Sequence, residues 1–161
     1  MSHAPALPPS RHPRPLPSFG RVSVGVRGRV MMSVAEGPFD VALMAAVRRA
    51  IMVAGKRLPA DGLFADLIEI RTSLQMDADA LAQLRDSVSD SVFAARGMVP
   101  VSTVFLVEPG IAGIERLPAL MDIWRASRTV HRATDFASAW AQVNADLASA
   151  GLPPQDPPPR P

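Results

Sequence analysis

The sequence predicts an α/β domain built on a single mixed β-sheet of about five strands with about four helices, in the order ββαβαβαβα. Three observations predict it. Two β-branched-rich segments adjoin near the start, separated only by Arg27-Gly28-Arg29. After them, short apolar segments alternate with longer segments of helical period, the pattern of parallel crossovers. The third is where the prolines lie. Of 17 Pro, six fall in residues 1–20 and six in 151–161, leaving five for the residues between. The folded unit is therefore expected over 21–150, with disordered, extended Pro-rich tails at 1–20 and 151–161. With 48% hydrophobic residues in 161, the chain can fill one packed core.

The elements follow in order. Val22, Val24 and Val26 alternate with Ser23 and Gly25, a half-buried strand. Val30 to Ala35 resumes a strand, so the pair reads as a hairpin with Gly28 taking positive φ. Gly37-Pro38 is expected to open the first helix, whose inner stripe is Leu43, Met44, Val47, Ile51 and Ala54, with Asp40 facing away and Gly55 as its stop. Leu63 to Ile70 is apolar at nearly every position, as a central strand is. Its Asp66 and Glu69 fall on opposite faces by the period of two, so they do not form a carboxylate pair.

Asp77 or Asp79 caps a second helix expected to run to about Arg96, burying Leu81, Leu84, Val88, Val92 and Ala95. Val101 to Val107 is a buried strand, and Glu108-Pro109-Gly110 a turn. Ile114, Leu117, Leu120, Met121 and Trp124 recur helically, but Pro118 inside that run predicts a kink or a restart. Thr129 to His131 is a short last strand. Thr134 or Asp135 caps a last helix with Phe136, Ala139, Trp140, Val143 and Leu147 inward.

Composition excludes several chemistries. The net charge of +2 arises outside 21–150, where fourteen basic and fourteen acidic residues balance. A neutral, mixed-sign core is a poor nucleic-acid footprint, so no nucleic-acid partner is expected. There is no Cys, which excludes disulfides, thiolate catalysis and Cys-based zinc sites. No apolar run approaches ~18 residues, so no membrane insertion is expected. The first residues lack the apolar core of a secretory signal, and the expected location is cytoplasmic. Of the three His, two (His3 and His12) lie in the N-terminal tail, so no metal triad or Ser–His pair is expected, and no cofactor. His131 is expected part-exposed at a sheet edge, without a partner.

The segments FADLIEIRTSLQMDADAL, VSTVFLVEPGIAGIERL and TVHRATDFASAWAQV are, respectively, a strand, hydroxyl-bearing loop and helix; a strand entering a Gly-containing helix start; and a short strand with a capped helix. In this layout the chain, from about Val22 to Leu147, resembles the bacterial STAS-like domains of the anti-sigma-factor antagonist type. The resemblance implies a non-enzymatic regulatory domain that binds a protein partner. In the antagonists a Ser after the central strand accepts phosphate. The matching loop here is Arg71-Thr72-Ser73-Leu74, and Gln75-Met76-Asp77 stands where an acidic-Ser-Ser-Gly motif would be.

Arg71, Thr72 and Ser73 are thus the candidate site: a solvated partner-contact or switch loop at the carboxyl end of a strand, where open α/β sheets place their sites. Asp77 and Asp79 would repel a phosphate there. Backbone N–H groups of Ile111 to Gly113 are a weaker anion candidate at a helix start. A homodimer is one form the contact can take. A different reading is a small hydrophobic-ligand or lipid-binding domain using an apolar pocket between sheet and helices, suggested by the many internal Met.

Overall fold

A computed structural model describes residues 20–159, the side chains of Asp90 and Ser91 excepted. The elements are β1 (Arg21–Arg27), β2 (Val30–Glu36), α1 (Val41–Gly55), β3 (Leu63–Arg71), α2 (Ala78–Ser87), α3 (Asp90–Ala94), β4 (Val99–Val107), a single 3-10 turn (Ile114–Arg116), α4 (Leu117–Arg125), β5 (Thr129–Ala133) and α5 (Phe136–Ser149). This is the α/β class and element order that the sequence predicts, with the second helix divided in two.

The sheet runs β1-β2-β3-β4-β5. β1 and β2 pair antiparallel through a two-residue turn, with Gly28 at φ 55. The remaining pairs are parallel. Strand order only advances, so right-handed crossovers place α1, α2 and α4 on one face. Packing agrees. Leu43 and Met44 of α1, Leu84 of α2 and Trp124 of α4 share one cluster with Phe105 of the sheet. The opposite face carries Val30, Leu67 and Val104, covered by Trp140, Val143 and Leu147 of α5. β3 feeds both clusters, Phe64 and Ile70 to the first, Ala65 and Leu67 to the second. That explains why its sequence is apolar throughout.

Several boundaries differ from the sequence reading. α1 starts at Val41, because Asp40 is not an outward residue but the N-cap, its carboxylate accepting from the Leu43 N–H at 2.8 Å. Pro38 precedes the helix, in a cis Gly37–Pro38 unit. α2 ends at Ser87 rather than near Arg96. There Ser87 Oγ donates to the Gln83 carbonyl (2.8 Å) and Ser89 Oγ to the Asp86 carbonyl (3.0 Å), bonds that compete with the helix ladder. The break turns Phe93 into the core and leaves Ala95 exposed. β4 begins two residues early, at Val99, and its register with β3 shifts at Phe64/Ala65, beside Pro100, a residue tolerated in sheets at such irregularities. α4 restarts with Pro118 in its first turn. Asp77 and Asp135 cap α2 and α5.

The larger correction concerns the carboxyl-terminal tail. Residues 152–159 form no helix or strand, as their prolines dictate, but they are docked rather than free. Leu152 packs on the α5 cluster. The Gln155 carbonyl accepts from Trp140 Nε1 (2.9 Å) and Asn144 Nδ2 (3.1 Å), and its N–H donates to Asn144 Oδ1 (2.8 Å). Its side-chain oxygen accepts from the Arg29 N–H, and Arg27 Nε reaches the Asp156 carbonyl at 2.7 Å. A Cβ at Gly28 would collide with Gln155 Oε1, so the hairpin turn and the tail are fitted to each other. Proline content forbids regular structure but says nothing about docking. The corresponding reading of residues 1–19 lies outside the described residues.

Two stability outcomes follow. Trp140→Ala removes a buried indole, its stacking on Phe136 (centroids 5.6 Å apart) and its bond to the tail. Urea unfolding should show a loss of about 3–5 kcal/mol. Deleting residues 152–161 exposes Leu152's site and leaves the indole N–H and Asn144 unpaired. We expect a loss of about 2–4 kcal/mol by the same measurement, and an unchanged midpoint would show that the docked tail contributes nothing.

Candidate functional site

At the carboxyl edge of β2, β3 and β4, three loops knit together. Thr72 sits at φ 70, the only positive φ outside glycine among the described residues. The Ser73 N–H donates to the Arg71 carbonyl at 2.8 Å, closing a three-residue turn around Thr72. A γ-turn with positive φ is strained, the more so for a β-branched residue. Its neighbours hold it on both sides. The Leu74 N–H donates to the Ala112 carbonyl (2.7 Å), the Phe39 N–H to the Gln75 carbonyl (2.8 Å), and Arg116 Nη1 to the Met76 carbonyl (2.9 Å). Gly37 lets the β2–α1 loop lie against this segment: a Cβ there would meet the Ser73 carbonyl.

The three residues singled out from the sequence are contiguous but unlike. Thr72 is exposed. Arg71 is half-buried, with Nη2 at 2.8 Å from Glu69 Oε1. Ser73 is 5% exposed, and its hydroxyl oxygen accepts from the Gln75 N–H at 3.0 Å. The expectation of a solvated Ser73 is therefore corrected: its side chain closes the turn from inside. Ile111 to Gly113 does not open a helix either. Ala112 bridges to Ser73 of this loop, Gly113 leads only into the single 3-10 turn Ile114–Arg116, and α4 starts at Leu117.

A second feature was not singled out. Asp66, in the middle of β3, points into the face covered by α1, α2 and α4 and is 6% exposed. Its strand partners are Met31 on β2 and Thr103 on β4. It accepts no hydrogen bond among the described residues, and Thr103 Oγ1 beside it is buried and unbonded. Asp66 lines an apolar cavity of about 70 Å³ between sheet and helices. Burial pushes its carboxyl up to about 7, an effect partly opposed by the positive charge of Arg128. The signal was present in the sequence: a charge at position four of a strand buried on both faces has no route to solvent.

His131, on the edge strand β5, is not partnerless as expected. Its Nε2 lies 3.2 Å from Asp146 Oδ1, which also accepts from Gln142 Nε2 at 2.9 Å. Among the described residues, no cluster of three or more His, Cys, Asp or Glu could hold a metal, and no helix is long and apolar enough to cross a membrane. Comparison with protein-family models, curated proteins and solved structures yields no match.

Asp66 sets an unusual pH dependence. The carboxyl titrates near 7 in the fold and near its ordinary 3.8 when unfolded. Between these values the folded state holds the extra proton, so the contribution of Asp66 is complete below about pH 4 and is lost as pH rises to about 7. The limit is about 4 kcal/mol. Asp61 and Asp135 act in the opposite sense at lower pH: the Arg29 guanidinium holds the first below the usual carboxylate range, and the Ser138 backbone N–H the second. Urea titrations between pH 5 and 8 should show wild-type stability falling and Asp66→Asn nearly flat. Parallel curves for the two proteins would show that Asp66 does not titrate in this window.

Proposed function

We propose that this chain is a non-enzymatic regulatory domain that binds a protein partner through the Arg71–Ser73 loop, in the manner its resemblance to STAS-like domains implies, and that it works in the cytoplasm. One observation carries the reading. Thr72 is displayed to solvent in a strained conformation over-determined by hydrogen bonds from two flanking loops. Strain of this kind costs about 1–3 kcal/mol and persists where it shapes a contact. Arg71, beside it, offers a planar cation to a partner's carboxylate, in competition with Glu69.

Contact without phosphorylation is the form this geometry favours. The Ser73 hydroxyl is buried and engaged, and Asp77 and Asp79 occupy the first turn of α2 with negative charge. The partner can be a second copy of the chain. The lipid-binding alternative has less support, because a cavity of about 70 Å³ is far below the ~300–1,000 Å³ of typical ligand pockets.

The test separates strain from function. A partner recovered from the native host is measured against wild type, Thr72→Gly and Arg71→Ala. Thr72→Gly should keep stability within about 1 kcal/mol, because relief of strain offsets the entropy of glycine. Each substitution should weaken partner binding by about tenfold or more, roughly 1.4 kcal/mol. Wild-type affinity in both variants would move the contact to another surface. Ser73→Asp, by contrast, should destabilise the fold, because it forces a charge into the turn's interior.

A further inference from the structure

Beneath α1, α2 and α4 the sheet carries one charged-type side chain in an otherwise apolar space. The cavity there takes Ser33, Asp66 and Ile68 from the sheet and Ile51, Leu84 and Trp124 from the helices. Ile68, in the central strand, is incompletely buried and lines the same space, so the helices leave room against the middle of the sheet. Asp66 is more than nine-tenths buried, lines this space and makes no hydrogen bond among the described residues. An apolar lining with few convergent polar groups, here Asp66 and Ser33, has the chemistry of a small-molecule site, at a scale that suits a molecule of a few atoms and not a lipid. Burying a carboxyl without a partner costs stability, and an apolar residue in the same place would not incur that cost.

We propose that this cavity is a binding site for a small uncharged amphiphile, its apolar part against Ile68 and Trp124 and a single hydroxyl paired with the Asp66 carboxyl. The occupant's chemistry follows from the lining. Around the carboxyl the walls are apolar apart from Ser33, so an ionic head would exchange full hydration for one partner. Arg128, whose charge acts on Asp66, disfavours a second cation. Arg128 itself is held by the Val88 carbonyl (3.3 Å) and stacks over the Phe93 ring at 5.1 Å, so it forms a fixed part of the wall's surroundings. A hydroxyl can both donate and accept, which matches a carboxyl in either protonation state. Size follows from volume: a cavity of 150 Å³ accommodates benzene, so about 70 Å³ takes roughly three heavy atoms as it stands, and a four-atom alcohol enters with a small shift of the flexible walls. This site is independent of the protein-contact reading, since its readout involves no partner protein.

The experiment uses the full chain and 1-propanol as the probe, with xenon as an apolar probe of the same space. In wild type, 1-propanol should bind saturably in the millimolar range, shifting the NMR signals of Ile68, the Trp124 indole and the Asp66 side-chain carboxyl carbon together. Asp66→Asn keeps the hydrogen-bonding capacity and should bind within about threefold. Asp66→Val introduces an apolar side chain of comparable size and should lose at least tenfold for 1-propanol while still admitting xenon. Both variants remove a buried carboxyl, so both should fold. Three results would overturn the proposal: no saturable shift in wild type, propanol binding that leaves the Asp66 carbon unmoved, or an Asp66→Val protein that admits xenon and binds propanol as wild type does. If Asp66→Val loses xenon as well, the Asp66 carbon in wild type decides the matter.

Discussion

A strand order that only advances leaves the chain no freedom about where its helices go. β2, β3, β4 and β5 are laid down side by side in sequence, and each parallel crossover has the same hand. Three crossing helices therefore crowd onto one face, and the other face depends on whatever follows β5. Among the described residues, that cover is α5 and the segment after it. One helix is about 10 Å wide, whereas five strands at ~4.8 Å spacing present roughly twice that breadth. The coverage problem explains why α5 spends Trp140 and Leu147 over the middle strands and why Leu152 and Gln155 run on toward the β1–β2 turn. The exposed odd positions of β1, Arg21, Ser23, Gly25 and Arg27, are polar or side-chain-free where that cover gives out.

The crowded face has the opposite problem. Aromatic contacts such as Phe105 against Trp124 (5.1 Å, edge-on) fill most of it. Yet the central strand brings Asp66 into its middle. The parallel register with β2 and β4 fixes that carboxyl between Met31 and Thr103, and a one-residue slip would expel it only by turning Phe64 and Ile70 outward as well. The sheet thus retains the charge-capable group by the same register that secures its core.

Much of the fold was legible because it rests on periodicity. The alternation of Val22, Val24 and Val26, the unbroken apolarity of Leu63 to Ile70 and the helical recurrence from Leu117 to Trp124 each carry their own geometry. Features set by competition between local bonds were less so. Asp40 reads equally as an outward face or a cap, and only the position of Leu43 decides. Ser87 and Ser89 end α2 through hydroxyls whose alternative, pointing to solvent, has the same sequence. The candidate loop was legible as a place, at the end of the most apolar strand, but its interior was not: which of Thr72 and Ser73 faces water depends on Ala112, some forty residues away. Asp66 was legible as well: a period of two separates it from Glu69, and a carboxyl four residues into a strand that is apolar on both faces is already a buried one.

The late position of the second-face cover has a consequence for biosynthesis. During translation the residues of the hairpin, the parallel strands and the three crossing helices are made before those of α5, so a sheet formed by then would present Val30, Leu67 and Val104 without the cover of α5. Nascent domains in that condition adhere to chaperones and to one another. Ribosome-bound intermediates of this chain should therefore be at greatest hazard of aggregation in the short interval between the release of β5 and the seating of Gln155 against Trp140.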